Sequence, residues 1–81
     1  LGPNKLRLEE LSSTELRPEL RGLSIRELDV RSRTGATVIG LKHQTGDFTV
    51  SPPADLVPAP GDVLLFLGTD AQVLTLLHQF R

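Results

Sequence analysis

A chain of 81 residues suffices for one small domain, which on folding buries only roughly 60–65% of its unfolded surface. With 38% hydrophobic and 23% charged residues, Phe as the only aromatic and a net charge of −1, it reads as a globular chain with a Leu/Val/Ile core, and no basic field draws it to nucleic acid or anionic lipid. The absence of cysteine excludes disulfides, thiolate metal sites and thiol redox chemistry, and suits a reducing compartment; the longest apolar run, residues 63–67, is far short of the ~20 residues needed to span a bilayer.

Residues 1–4 read as a linker or appended segment cut with the domain from a longer protein, and residues 5–81 as the domain itself. Leu6, Leu8 and Leu11 among charged neighbours predict a strand over residues 5–11 with one buried face. Pro18 breaks any regular element in the following stretch, which reads as a loop with one helical turn. Ser24 with Glu27 forms an S-x-x-E capping box, and Leu23 with Leu28 a hydrophobic staple. A helix of two or three turns therefore starts at Ile25 and ends before Gly35. Residues 37–43 and 48–51, joined by the turn QTGD, predict an antiparallel hairpin.

The proline-containing stretch 52–61 permits only extended segments and tight turns. It leads into VLLFLG, an apolar strand expected to be covered on both faces. A second capping box, Thr69 with Gln72, opens a final helix whose Val73, Leu76, Leu77 and Phe80 form one apolar stripe. Leu74 and His78, off that stripe, form a second surface suited with the VLLFL strand to a dimer contact.

Little of the chain suits catalysis. His43 and His78 read as surface residues, Asp47 and Asp62 as turn carboxylates, and no H-x-x-x-H, paired-carboxylate, G-x-G-x-x-G or Walker spacing occurs. The seven cations of residues 1–35, against two in the remainder, concentrate attention on Arg26, Asp29, Arg31 and Arg33. Guanidinium groups bind phosphate bidentately, and Thr37 adds a hydroxyl. The bland reading places Asp29 opposite Arg33 at i, i+4, an exposed pair contributing only ~0.3–0.5 kcal/mol.

The ordered set G-x-S-I-x-E-L-D-V-R from Gly22, G-A-T-V-I-G from Gly35, Gly46-Asp47, Pro52, P-G-D-V-L from Pro60 and G-T before the last helix resembles the RCK C-terminal (TrkA-C) domain along nearly the whole chain. The resemblance implies a small α+β fold: a mostly antiparallel sheet, a short first helix and a C-terminal amphipathic helix. It implies a cytoplasmic regulatory domain, not an enzyme, attached to a potassium channel, potassium uptake system or cation/proton antiporter. It further implies a homodimer, while charge, motif spacing and the short apolar runs lead to the expectation of no cofactor, no metal, no nucleic-acid polymer as partner and no membrane insertion of its own.

In a subset of such domains the dimer cleft binds cyclic di-AMP. The positions implied here are Asp29, Val30 and Arg31, then Thr37 and Val38, with Ile25 and Pro52 as walls of the base pocket. Two residues depart from the pattern: Thr37 stands for an asparagine, and Arg26 stands where an aliphatic side chain packs on the base, there to stack on it or obstruct it. The rival expectation is a dimerisation or assembly module with no small-molecule ligand. A third is an inorganic-ion site using Asp29 or His43.

Overall fold

The computed structural model describes residues 5–81, so the linker expectation for residues 1–4 lies outside it. Four antiparallel strands, β1 (Leu6–Ser12), β2 (Thr37–Lys42), β3 (Phe48–Val50) and β4 (Val63–Thr69), form one sheet in the order β1-β4-β2-β3. Helices α1 (Ile25–Leu28), α2 (Val30–Thr34) and α3 (Asp70–Phe80) complete the α+β fold. The stretch after β1 holds two single 3-10 turns, Ser13–Glu15 and Pro18–Leu20, rather than one.

The core lies on one face of the sheet. Leu11, Leu41, Leu64 and Phe66 point there and meet Leu28, Val30, Leu76 and Phe80 from the helices. Both capping boxes form: the Ser24 and Thr69 side chains accept from the backbones of Glu27 and Gln72, whose side chains accept in return. The carboxyl of Glu27 is held below its ordinary value of 4.5 first by the Ser24 backbone N–H and then by the Ser24 hydroxyl. Gly35 ends α2 at φ +81°, and a Cβ there would strike the Gln72 amide, so glycine answers two demands at one position.

Three expectations are corrected. The first helix is not continuous: Asp29, at φ 52° and ψ 42°, is left-handed and divides it into α1 and α2. Aspartate tolerates that region better than most residues. Leu6 and Leu8 do not face the core but stand 59% and 55% exposed, because the pairing of Leu11 with Leu64 fixes the parity of β1 the other way. Nor is β4 covered on both faces. Leu64, Phe66 and Gly68 are buried, while Val63, Leu65 and Leu67 alternate with them on a face that no described element covers.

That open face carries apolar side chains from three of the four strands, while β2 presents Thr37, Gly40 and Lys42. Leu6 and Leu8 of β1, Leu65 and Leu67 of β4, and Phe48 and Val50 of β3 share it, with Val50 79% exposed. Leu74 and His78 are exposed on α3, which packs against the opposite face, so they do not form a single surface with β4. Between Val38 and Gly40 a β-bulge inserts Ile39, so that two residues of β2 advance against one of β4. It keeps Val38 opposite Phe66 and Leu41 opposite Leu64, both on the core side, although they are three residues apart.

Candidate functional site

Strand β3 pairs only with Gly40, Leu41 and Lys42, leaving the first half of β2 without a neighbouring strand on that side. At Ser51, φ 48°, the chain turns away after one last bond from its N–H to the Ile39 carbonyl. It returns where the Ala54 and Leu56 carbonyls accept from the N–H groups of Arg26 and Ile25, at 2.8 and 2.9 Å. The α1–α2 break, the start of β2 and this returning loop thus enclose a concavity of about 260 Å³.

Seven of the eight side chains singled out from the sequence line it. Ile25, Val30 and Val38 form its apolar floor, while Arg26, Asp29, Arg31 and Thr37 supply its polar groups. The left-handed turn at Asp29 makes this convergence possible, because a continuous helix would carry Arg31 onward along its own axis instead of round the corner. The N–H of Asp29 closes α1 on the carbonyls of Arg26 and Ile25, at 3.1 and 3.3 Å. Among the described residues none of the side chains of Arg26, Asp29 and Arg31 is in a salt bridge. Two cations and an anion are therefore held side by side, with their hydrogen-bonding capacity turned to solvent.

Pro52 is the exception: it is half-buried outside the lining, and Ala54 takes the wall position instead. No local signal marked Ala54, which reaches the site through a long-range backbone bond. Arg33 is exposed but makes contacts of its own. Its guanidinium lies 4.6 Å from the centroid of the Phe80 ring and donates to Gln79 at 3.1 Å, tying α2 to the end of α3, and it does not pair with Asp29.

Elsewhere His43, expected to be solvated, is half-buried. Its Nε2 lies 2.6 Å from the Thr49 hydroxyl and its Nδ1 3.7 Å from the Asp62 carboxylate. Asp62 is the turn carboxylate expected, buried and accepting from the N–H groups of Gln44 and Ala59. Asp29 and His43 lie beyond opposite ends of β2 and share no site, and among the described residues no three His, Cys, Asp or Glu side chains are grouped to hold a metal. A larger apolar recess of about 430 Å³ lies between the 3-10 turns and residues 57–60. Its one charged lining residue, Arg21, already donates to the Thr14 and Leu16 carbonyls, so it offers no free polar group comparable to the arginines beside Asp29.

Known proteins share the fold. The family model described as the TrkA-C domain matches residues 14–81. A probable potassium channel protein 2 of Methanocaldococcus jannaschii is 33% identical over 52 residues, which are 64% of this chain and 15% of that protein. The RCK_C domain dimer of S. agalactiae BusR, solved in complex with c-di-AMP, is 36% identical with a TM-score of 0.73, covering 93% of this chain and 88% of that one. The RCK C domain of the potassium transport protein KtrA, in complex with cyclic diadenosine monophosphate, is 25% identical with a TM-score of 0.76, covering 93% and 84%.

Proposed function

The chain belongs to the TrkA-C domain family, and from that premise we propose that it is a regulatory, non-catalytic domain on the cytoplasmic side of a potassium or cation transport protein, binding cyclic di-AMP or a related cyclic dinucleotide between two symmetric copies. The observation that carries this reading is the meeting of Arg26, Asp29, Arg31 and Thr37 over an apolar floor of Ile25, Val30 and Val38. Arg31 would hold a phosphate through its guanidinium fork, Thr37 would donate its hydroxyl, and the floor would take the base.

Size supports a two-copy site. At about 260 Å³ the concavity is below the ~300–1,000 Å³ of pockets that enclose a drug-sized ligand. The open apolar face of the sheet continues from the concavity through Thr37, which pairs with Leu67 on that side. We place the second copy there, where Leu6, Leu8, Phe48 and Val50 would leave water. A ligand held by both copies stabilises one relative orientation of the dimer, and that differential affinity is what would be passed to the attached transporter.

Isothermal titration with cyclic di-AMP, together with light scattering for mass, tests the reading. Heat of binding with one ligand per two chains, lost in Arg31→Ala with the circular dichroism spectrum unchanged, is the expected result. No heat and no thermal shift with any cyclic dinucleotide at about 1,000 times a micromolar Kd would overturn it, since such binding would stabilise the fold by about 4 kcal/mol. The remaining reading would then be an assembly module acting through the same apolar face, in which Arg31→Ala alters neither fold nor dimer.

A further inference from the structure

Resting on the reading of the concavity as a cyclic-dinucleotide site, we infer that Arg26 and Asp29 make its base pocket read guanine, so that a guanine-bearing cyclic dinucleotide is preferred over cyclic di-AMP. The two residues are one helical turn apart, joined through the Asp29 N–H and the Arg26 carbonyl at 3.1 Å, and both side chains line the concavity. Neither is in a salt bridge with any described residue. A five-donor fork and a two-oxygen acceptor therefore stand next to each other with their capacity free.

The chemistry of the two purines separates them at such a pair. Guanine offers two adjacent acceptors, O6 and N7, on one edge, which a guanidinium meets bidentately. On its Watson–Crick edge it offers the donors N1–H and N2–H₂, which a carboxylate meets bidentately. Adenine instead sets an acceptor beside the N6 amino donor on each of those edges. A guanidinium, with no acceptor, opposes donor to donor there, and a carboxylate opposes acceptor to acceptor. The partner adenine wants is an amide, and among the described residues no Asn or Gln lines the concavity.

Thr37, the remaining uncharged polar side chain, donates one bond or accepts up to two and does not discriminate. Arg26 is exposed and its backbone N–H is already held by the Ala54 carbonyl, so its side chain can be exchanged without disturbing the turn that positions Asp29. In a symmetric dimer each copy presents the same pair to one base. The expected order of affinity is cyclic di-GMP, then cyclic GMP–AMP, then cyclic di-AMP, each step at least about fivefold.

Titration calorimetry of the intact chain with these three ligands, repeated on Arg26→Ile and Arg26→Gln, decides the matter. Preference for cyclic di-GMP in the native chain, abolished in Arg26→Ile and shifted toward cyclic di-AMP in Arg26→Gln, supports the inference. Equal or tighter binding of cyclic di-AMP by the native chain overturns it and leaves the proposed function standing. Binding of none of the three by the native chain overturns both.

Discussion

Replacing Asp62 with alanine removes a buried carboxylate that joins three segments of chain. Its oxygens accept from Gln44 N–H at 3.1 Å and Ala59 N–H at 2.9 Å, pinning the β2–β3 turn and the proline loop to the start of β4. A hydrogen bond to a charged group contributes about 1.5–3 kcal/mol, which for two gives about 3–6 kcal/mol. Gln44 and Ala59 are themselves exposed, so water replaces part of what is lost, and the expected cost is about 2–3 kcal/mol. Against the ~4–12 kcal/mol typical of a domain this size, that is a large share.

The assay is urea unfolding followed by far-ultraviolet circular dichroism at a fixed chain concentration, because the proposed dimer would make apparent stability concentration-dependent. With a slope of about 1 kcal/mol/M for so small a domain, the midpoint should fall by about 2–3 M. Asp62→Asn keeps one acceptor oxygen and should fall about half as far. An alanine variant whose midpoint moves by less than about 0.5 M would refute the view that this carboxylate holds the loops together.

At Glu27, whose carboxyl is held below 4.5 in the folded chain, the capping bond stabilises above the unfolded value and is lost as pH falls through the lower folded one. The melting-temperature advantage of the native chain over Glu27→Gln should shrink between about pH 6 and about pH 3; an advantage that grows on acidification contradicts the assignment. Asp29→Val forces a β-branched residue into the left-handed turn at a cost of about 1–2 kcal/mol, whereas Asp29→Gly should stay close to native. Chemical denaturation of both variants checks this, and a valine variant as stable as the glycine variant would contradict it. Leu8→Glu should leave the monomer folded but weaken the proposed dimer at least about 100-fold by sedimentation, since burying a leucine contributes about 1.5–3 kcal/mol and a symmetric interface on this face would hold two. An unchanged dimer would place the interface elsewhere.

What the sequence disclosed is what neighbouring residues decide between themselves. Both capping boxes, the α3 stripe and the β2–β3 hairpin depend on partners within a few positions, and all are present. The face that β1 buries is different, because Leu6, Leu8 and Leu11 cannot all share one parity, and only the distant pairing with β4 chooses between them. An aspartate at position 29, unlike a glycine, does not announce a left-handed turn, so the local pattern predicts a helix running through it. At the site, the residues on one continuous stretch, Ile25 to Val38, were legible from the resemblance. Ala54 was not, since the path of a proline loop is set by where it lands; nor was the His43–Thr49–Asp62 cluster, drawn from three separate segments.

The division of residues 25–34 into helices of four and five residues carries a consequence for how the site is kept in order. Isolated helices shorter than ~12–15 residues are marginal in water, so neither half is stable by its own backbone bonds. Their order is borrowed from Leu28 and Val30 beneath and from the loop carbonyls that receive Ile25 and Arg26. Such a segment opens locally at a lower free energy than the domain unfolds, and an occupant adds its binding energy directly to that opening. The amide protons of this stretch are thereby the chain's own reporters, slowing their exchange with solvent as soon as the concavity is filled.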